Sequence, residues 1–407
     1  MFIREMSLME FKDYAEAHFI GNCHQTINYA LLKAEEGYNY ELICLEGEEI
    51  KAAALILYKK IGNTYYGYSP RGFLIDYSNL YLLNEFTEKI KEYYKKKNFT
   101  FIKINPSIAV SKLDIKSKKF IPNNNINILN NLKNTGYLKL KDNMAFEAAL
   151  PRINAIVNLE QFDINTLKKN TRNKVKKGIR KGLILEKATL DKLEIFYSFI
   201  KNKIKKNSFY YNDLYNVFSK TGDVDLLLVK VDYKEFLINS QQIYNLEMQK
   251  NQQLNEKLIY NNNPKIINTK MNSDRALISY KNDIAEAAKN LNENIETYVA
   301  GAIVLKHQNR VMIEISGFDK KFARYSPNYF LYYAILNYYK KSFKYADLNG
   351  ITADLSITSD FYGLNQFKLG FNPDVYEFIG EFDLIIDENS YKQLLKTGLL
   401  AKEFNKN

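Results

Sequence analysis

The stretch Ala52–Tyr68, which reads AAALILYKKIGNTYYGY, decides the fold of this chain. A run of small and aliphatic residues, a turn at Gly62-Asn63 and a second run rich in tyrosine predict two strands joined as a β-hairpin. The stretch Ala300–Ser316, AGAIVLKHQNRVMIEIS, follows the same plan. Such hairpins are common, but their repetition favours two related α/β domains in one chain.

Further helices and strands are predicted around both hairpins. Apolar residues at helical spacing predict helices over Tyr81–Lys97 and Tyr329–Lys341, and the first ends in a run of lysines that suits a helix C-terminus. Apolar runs predict strands over Phe101–Pro106 and Asp225–Val231. Met1–Glu5 predicts a further strand at the start.

The length and composition suit two folded domains. The chain has 407 residues, of which 46% are hydrophobic and 26% are charged, so it can bury substantial cores. We expect a first domain over 1–150 that is completed by 380–407, and a second domain over 151–379.

The segment 239–297 differs from the rest because it is polar and has few β-branched runs. Apolar residues recur three and four positions apart in its second half, which is the pattern of a heptad seam, and a looser stripe precedes them. The break at Asn261–Pro264 separates the two parts, because proline cannot continue a helix. We expect an antiparallel helical hairpin that projects from the second domain, with arms of about 22 residues; the alternative is a disordered insertion. The apolar positions are Ile243, Leu246, Leu254 and Leu258, then Leu277, Tyr280, Ile284, Ala287 and Leu291.

The net charge of +12 indicates an anionic partner such as RNA, a nucleotide or a phospholipid surface. The densest cationic stretch is Leu167–Lys181, where Val175 and Ile179 are four apart and predict one apolar helical face. The rest of that helix is a basic surface suited to phosphates, and a solvated charged face is the alternative. The candidate phosphate-binding residues are Arg172, Lys174, Lys176, Lys177 and Arg180.

Several kinds of site are excluded by what the sequence lacks. Cys23 and Cys44 are too few for a disulfide framework, and we expect buried free thiols. His18, His24 and His307 form no metal-binding pattern, so we expect no metal. There is no GxGxxG or Walker motif, no Ser/His/Asp set and no coenzyme A loop, so we expect no cofactor. An apolar run near ~18 residues and a signal peptide are also missing, which favours a cytoplasmic protein that at most touches the inner face of the membrane.

Two short segments carry candidate binding chemistry. In Gly363–Phe371, Lys368 lies between two phenylalanines that would bury its stem and restrain its ammonium group at the mouth of a sheet. In Tyr68–Phe73, Gly72 permits close backbone approach, and Arg71 can grip a phosphate or carboxylate through two hydrogen bonds. The alternatives are a solvated surface lysine and an ordinary turn.

Over nearly its whole length the chain resembles the FemABX family, the tRNA-dependent aminoacyltransferases that build peptidoglycan bridges. The most specific segments are Tyr68–Asp76, Thr171–Lys177, Asp347–Ile351 and Gly363–Glu381. The resemblance implies two acetyltransferase-like (GNAT-like) domains with a cleft between them, and aminoacyl-tRNA as co-substrate in place of acyl-CoA. It also implies that the helical hairpin is an arm like that of seryl-tRNA synthetases. Armed members are associated with a lipid-linked muropeptide acceptor, whereas the armless type takes the UDP-linked one.

The resemblance assigns roles residue by residue. Lys368 matches the family lysine implicated in transfer, where an ammonium can stabilise the oxyanion or neutralise the 3′ end of the tRNA. Lys33 aligns with a lysine that binds the acceptor's phosphates in the armless type. The basic motif is assigned to tRNA. The other candidate substrate-binding residues are Tyr68, Arg71, Gly72, Asn349, Gly350 and Phe367.

Two departures from the family pattern bear on the mechanism. An acidic residue that was once a candidate base in the family is Asn105 here, which fits a mechanism without an enzyme base because the ester is already activated. No counterpart of an acceptor-gripping arginine occurs near Ser208–Tyr211, which fits a lipid-linked acceptor.

The hypothesis from the sequence is therefore an enzyme, an aminoacyltransferase that moves an amino acid from aminoacyl-tRNA to the stem-peptide amine of a peptidoglycan precursor. Alanine, serine and glycine all remain open as the amino acid. The alternatives are an acyl-CoA-dependent N-acyltransferase, which coenzyme A binding would reveal, and a non-catalytic RNA-binding adaptor, which would bind tRNA without any transfer.

Overall fold

The computed structural model describes residues 1–147, 149–261 and 263–404. Ala148 and residues 405–407 of the predicted first domain, and Asn262 of the predicted break in the hairpin, lie outside the described residues. The strands, in chain order, are β1 (Phe2–Glu5), β2 (Asn39–Glu46), β3 (Ile50–Ile61), β4 (Thr64–Ser69), β5 (Phe99–Ile104), β6 (Ala109–Asp114), β7 (Lys119–Pro122), β8 (Tyr137–Lys139), β9 (Ile153–Asn158), β10 (Leu183–Ala188), β11 (Val224–Val231), β12 (Tyr298–His307), β13 (Arg310–Phe318), β14 (Tyr345–Gly350), β15 (Asp374–Phe378) and β16 (Phe382–Ile385).

The α-helices cover the faces of the sheets, except for one pair that forms an arm. In chain order they are α1 (Leu8–Ala17), α2 (Ile27–Glu35), α3 (Leu80–Lys96), α4 (Ile126–Asn134), α5 (Lys169–Arg180), α6 (Leu193–Ile200), α7 (Ser208–Ser219), α8 (Tyr233–Tyr260), α9 (Pro264–Asn292), α10 (Pro327–Tyr339), α11 (Tyr362–Leu369), α12 (Glu388–Lys396) and α13 (Leu399–Phe404). The predicted helices and strands around the two hairpins are all confirmed.

The strands form two sheets, and the same plan of elements occurs in each. The first sheet has the order β1-β2-β3-β4-β5-β16-β8, and the second has the order β10-β11-β12-β13-β14-β9-β15-β6-β7. In each unit four antiparallel strands are followed by a helix and a fifth, parallel strand. The crossover helix, α3 or α10, makes the parallel pairing possible, because parallel neighbours need a long connection. The prediction of a mixed α/β fold with two acetyltransferase-like units is confirmed.

The chain crosses between the sheets more than once. The hairpin of β6 and β7 lies within 1–150 but joins the second sheet, where β6 pairs with β15. The strand β16 returns to the first sheet and pairs with β5 and β8, in agreement with the expected completion of that unit by 380–407. The domain boundaries themselves stay a prediction. The strands β6 and β7 lie within the range predicted for the first domain but belong to the second sheet.

The helices α8 and α9 form the predicted antiparallel hairpin, inserted between β11 and β12. They have 28 and 29 residues, so each arm is about 42 Å long at the helical rise. Ala287 is buried, and the Asn251 side chain donates hydrogen bonds to Ser273 (3.1 Å) and Asp274 (2.9 Å) across the helix pair. Leu246, which the looser stripe placed in the seam, is 66% exposed, so that assignment is wrong. The alternative of a disordered insertion is also wrong.

The buried face of α5 differs from the prediction. Thr171, Val175 and Gly178 are buried at i, i+4 and i+7, whereas Ile179 is 41% exposed. A Cβ at Gly178 would contact the Phe330 side chain at 2.8 Å, so the helix packs closely on α10 through its glycine. The apolar face is therefore rotated away from Ile179, which leaves the basic side chains on the flanks of the helix.

Across the described ranges no helix combines the length and the apolar character that would let it span a bilayer. Both cysteines are buried free thiols, as the sequence predicted.

Candidate active site between the two sheets

A cavity of about 190 Å³ lies between the two units of the fold. It exists because β13 and β14 pair only from Arg310–Met312 to Tyr345–Asp347 and then separate. Beyond that point the Asn349 side chain reaches across the gap to the backbone carbonyls of Ile313 and Glu314, at 3.4 and 3.3 Å. The lining residues are Asn22, His24 and Arg71 from the first unit, and Leu150, Pro151, Asn154, Arg310, Met312, Glu314, Asp347, Asn349 and Phe378.

Arg71 enters the cavity wall from the turn that follows β4. Its backbone adopts the left-handed conformation (φ 55°), and Asn105 Oδ1 accepts a hydrogen bond from its N–H at 2.8 Å. The guanidinium donates to the Pro151 carbonyl at 2.7 Å and lies 5.0 Å from the centre of the Phe378 ring. Asn105, the first departure from the family pattern, therefore shapes this turn. The predicted substrate contact by Arg71 stays a prediction.

Gly72 lies in the same turn, and Tyr68 lies near the end of the strand β4 that precedes it. A Cβ at Gly72 would overlap with the Ser69 hydroxyl and lie 2.8 Å from Gln25 Nε2, so the close approach that glycine permits here is to Gln25. Gln25 is fully buried and donates to the Pro70 carbonyl at 2.7 Å. The Tyr68 hydroxyl accepts a hydrogen bond from Asn105 Nδ2 at 3.2 Å.

The end of β14 supplies the opposite wall. Asp347 is buried, and its carboxylate accepts hydrogen bonds from Asn154 Nδ2 (3.0 Å) and from the backbone N–H of Asn349 (2.8 Å). Asn349 has a left-handed backbone (φ 68°), a conformation that asparagine tolerates better than most residues. A Cβ at Gly350 would overlap with Pro151, so glycine is needed for this close approach. Asn349 thus lines the cavity, and Gly350 lies directly behind it.

Lys368 lies on the far side of that wall. It is 6% exposed, and its Nζ donates a hydrogen bond of 2.6 Å to the Gly350 carbonyl. Burial lowers the pKa of Lys368 to about 8, although the Asp347 carboxylate opposes that shift. Lys368 is not among the described residues that line the cavity, but it is bonded to a residue adjacent to Asn349. An ammonium carries three N–H donors, and among the described residues only the Gly350 carbonyl accepts one of them.

Phe367 packs inside the second unit. Its ring lies 4.8 Å from the Tyr332 ring and 4.9 Å from the Tyr329 ring, measured between centres and in edge-to-face geometry. It also contacts Phe371 at 5.4 Å. These contacts give Phe367 a packing role under α10, and it is not one of the described residues on the cavity wall. Its assignment as a substrate contact is therefore not supported by its position.

Lys33 lies at the end of α2, outside the cavity wall. Its Nζ binds the Glu36 carboxylate at 2.5 Å, and Glu36 also pairs with Lys206. Lys206 lies 4.7 Å from the centre of the Tyr210 ring, and Lys33 lies 6.0 Å from it. Two lysines with one glutamate leave a net positive charge beside the Ser208–Tyr211 segment. Lys206 was not predicted from the sequence, because the family pattern has an arginine near this segment and not a lysine.

The basic residues of α5 do not all lie on one surface. Lys174 donates to the Tyr329 hydroxyl at 3.0 Å, and Arg172 donates to the Asn165 carbonyl at 3.1 Å. Lys176 is exposed on the surface of the helix. Lys177 and Arg180 line a second cavity of about 180 Å³ at the base of the arm, together with Lys181, Ser240, Ile243, Ser279, Tyr280, Asp283 and Arg324.

Glu314 is one residue of the cavity between the two units that sequence reasoning missed. It lies on β13, and burial raises the pKa of its carboxyl group, while Lys33 opposes that shift and Asp347 adds to it. The signal was present in the sequence, because Glu314 interrupts the apolar run VMIEIS at a strand position where a charge is costly. Asn154 and Arg310 were missed for another reason, since neither belongs to a recognisable motif.

Two stacked units of the same topology, a charged cavity between them and an inserted helical arm define an α/β protein with a duplicated acetyltransferase-like fold. The model of the FemAB family matches residues 6–396, and the chain belongs to that family.

The curated relatives include the lipid II:glycine glycyltransferase of Staphylococcus aureus, which is 25% identical over 400 residues; the match covers 93% of this chain and 91% of the relative. Among solved structures, the crystal structure of FemX superposes with a TM-score of 0.75 at 23% identity, covering 97% of this chain and all of that one. The family and the fold predicted from the sequence are both confirmed.

Proposed function

We propose that this protein transfers an amino acid from aminoacyl-tRNA to an amine on the stem peptide of a peptidoglycan precursor, as a step in building the interpeptide bridge. The glycyl transfer to lipid II named for the staphylococcal relative supports this reaction class. The observation that carries the proposal is Lys368, a buried ammonium donor that binds the Gly350 carbonyl directly behind Asn349, which lines the polar cavity between the two units.

The chemistry needs few protein groups. The neutral amine attacks the ester carbonyl, a carbon–nitrogen bond forms, and the carbon–oxygen bond to the ribose breaks. The proton lost by the amine ends on the ribose oxygen that leaves. Charge develops on the carbonyl oxygen in between, and a preorganised ammonium such as Lys368 stabilises it. This role suits a site where Asn105 stands in place of an acidic residue.

The surfaces around the cavity suit the two substrates. Lys177 and Arg180, at the base of the arm, are the proposed contacts of the tRNA backbone, and Lys176 and Arg172 extend that surface along α5. Lys33 and Lys206 are the proposed contacts of the acceptor's phosphates. The arm supports a lipid-linked acceptor, because armed members of the family are associated with one, so we propose a cytoplasmic protein that works at the inner face of the membrane. No cofactor is required.

The test is a transfer assay with product mass as the readout. The purified protein is incubated with a mixed pool of charged tRNAs and with either a lipid-linked or a UDP-linked precursor. We expect the precursor to gain the mass of one amino acid residue, and only when the tRNA is charged. Transfer from acetyl-CoA under the same conditions would instead support an acyl-CoA-dependent enzyme. Binding of tRNA without any product would support an adaptor.

A further inference from the structure

Two polar groups in the cavity have no partner within the described part of the chain. The carboxyl group of Glu314, on the cavity wall, takes part in no hydrogen bond or ion pair there. Asn154 is 2% exposed and also lines the cavity, and its Oδ1 atom accepts no hydrogen bond. Buried polar atoms are nearly always paired, so the unpaired Asn154 oxygen indicates a ligand that supplies a donor. The half-buried Glu314 carboxyl group lines the same cavity and offers a further free acceptor.

A third acceptor lies beside them. Asp347 receives hydrogen bonds from Asn154 and Asn349, yet each carboxylate oxygen can accept more than one. Asp347 and Glu314 line the same cavity, and the charges of Lys33 and Asp347 both act on the Glu314 carboxyl group. The oxygen atoms of Glu314, Asp347 and Asn154 are therefore available here as hydrogen-bond acceptors. The ligand group that fits them carries only donors and a positive charge.

The other side of the cavity has the opposite character. Arg310 lines it, and its guanidinium stacks 5.8 Å from the centre of the Tyr345 ring without a hydrogen-bond partner in the described ranges. Arg71 is occupied by the Pro151 carbonyl. The cavity volume of about 190 Å³ is enough for several water molecules, and so for a small polar group. A fitting ligand has an ammonium at one end and a carbonyl or carboxylate oxygen at the other.

We propose that this cavity binds the primary ammonium group of a substrate, held by Glu314, Asp347 and Asn154, with the adjoining carbonyl or carboxylate facing Arg310. The inference rests on the proposed function for its ligand class. Two substrates of that reaction carry such a group. One is the α-ammonium beside the ester carbonyl of the aminoacyl group, and the other is the side-chain ammonium of the acceptor residue.

The experiment measures binding of small amines to the full-length protein by ligand-observed NMR. Glycinamide represents the aminoacyl end, and Nα-acetyl-L-lysine represents the acceptor. The pair n-butylamine and n-butanol shows whether an ammonium binds better than a neutral hydroxyl group of similar size. The variant Glu314→Gln removes the charge while keeping the shape of the side chain. Glu88→Gln, which changes an exposed glutamate on α3, is the matched control.

We expect at least one of the first two probes to bind, n-butylamine to bind better than n-butanol, and Glu314→Gln to weaken the amines by about tenfold or more, the value of a charged hydrogen bond. Glu88→Gln should bind as the wild type does. Preference for glycinamide assigns the site to the aminoacyl end, and preference for Nα-acetyl-L-lysine assigns it to the acceptor.

Three results would overturn the inference: no probe binds the wild type, n-butanol binds as well as n-butylamine, or Glu314→Gln binds the amines unchanged. The comparison of n-butylamine with n-butanol uses only the wild-type protein, so it decides the question even where Glu314→Gln fails to fold. Amine binding without any product in the transfer assay would sink the proposed function and leave the ammonium site standing. Transfer without amine binding would do the reverse.

Discussion

The two units of this protein share one topology and differ in two places. In the first unit β2 and β3 are joined by a short turn, whereas the corresponding strands β11 and β12 are separated by the helical arm α8–α9. In the first unit β4 and β5 stay paired up to Ser69 and Ile104, whereas β13 and β14 separate after Met312 and Asp347. The same plan thus gives one unit whose last strand pair stays together and one, the open unit, whose last strand pair separates. The open unit carries the arm, and its separated strands line the cavity together with residues of the first unit.

The separation of β13 and β14 has a local cause in the sequence. Asp347 accepts the N–H of Asn349, which turns the backbone into the left-handed region, and the Asn349 side chain then bonds to β13 in place of the missing ladder. At the equivalent strand ends of the first unit, Asn105 instead bonds to the Arg71 backbone. Asn349 therefore holds the separated strands of the second sheet, whereas Asn105 fixes a turn beside the first sheet.

The largest effect is expected at Lys368, which the comparison places on the open unit. Lys368→Met should lower the transfer rate by about 10²-fold or more, the cost of losing one donor to a developing oxyanion. The free energy of unfolding should change little, because loss of the bond to Gly350 is offset by removal of a buried charge. Single-turnover transfer and thermal unfolding measure the two. Lys392→Met, on the exposed surface of α12, is the control. Near-normal transfer by Lys368→Met would remove Lys368 from the mechanism.

The pH dependence of transfer tests the form of Lys368 that acts. Its pKa of about 8 means that the ammonium is present below that pH and is lost above it. The attacking amine has an ordinary pKa near ~10.4, so its neutral fraction rises about tenfold per pH unit. The single-turnover rate should therefore rise up to about pH 8 and then level off, as the two trends cancel.

Lys368→Arg separates these trends, because arginine keeps its charge throughout this range. The residual rate of that variant should go on rising beyond pH 8. From pH 8 to pH 9 it should increase by about tenfold, whereas the wild-type rate stays level. A wild-type rate that rises unbroken to pH 10 would contradict the assignment of an acting ammonium to Lys368.

The arm is the second difference between the units, and its base should contribute to tRNA affinity. The double variant Lys177→Glu and Arg180→Glu should weaken tRNA binding by about tenfold and reduce its dependence on salt, since fewer counterions are released. Titrations over roughly 50–200 mM salt measure both. Lys51→Glu, on an exposed position of the first unit, is the control. Unchanged affinity and salt dependence would show that tRNA does not use this surface.

The smallest effect is expected from a substitution at Gly350, which packs against Pro151 behind the wall of the cavity. Gly350→Ala should lower the free energy of unfolding by about 1–3 kcal/mol, because the new methyl group overlaps with Pro151. Gly363→Ala is a matched control on the adjacent helix α11, where among the described residues no atom lies within 4 Å of the added methyl group. That variant should be neutral or stabilising by about 0.5–1 kcal/mol. Equal effects in chemical denaturation would show that Gly350 is not confined.

Much of the fold followed from local patterns. The hairpin at Ala52–Tyr68, its counterpart at Ala300–Ser316 and the arm were all predicted, because strand alternation, turn residues and heptad spacing are encoded by neighbouring residues. On α3 the apolar residues at helical spacing in the sequence are Leu82, Phe86, Ile90 and Tyr93. The structure buries Phe86 and Ile90 as expected, but it buries Leu83 and Tyr94 in place of Leu82 and Tyr93. That shift of one position is set by the direction from which the sheet meets the helix, which the sequence of the helix does not contain.

The candidate site was predicted less completely. Asn349 lies in one wall of the cavity with Gly350 and Lys368 behind it, and Arg71 lies in the opposite wall. Lys368 and Arg71 were candidates from their own segments, whereas Asn349 and Gly350 came from the family resemblance. The pairing of β6 and β7 with the second sheet could not be predicted, because sheet order depends on contacts between segments that are distant in the chain. Glu314 was missed although it interrupts an apolar run, because the opening that makes this position part of a site exists only once β13 and β14 have separated.

The central claim is that the open unit carries the transfer site and that Lys368 acts there on the ester carbonyl. The most direct test is a crystal structure of the protein with a non-hydrolysable, amide-linked aminoacyl-RNA analogue. We expect the carbonyl oxygen of the analogue within hydrogen-bonding distance of Lys368 Nζ, beside Asn349 and Gly350. An analogue bound in the first unit, or with its carbonyl far from Lys368 while the cavity stays empty, would contradict the claim.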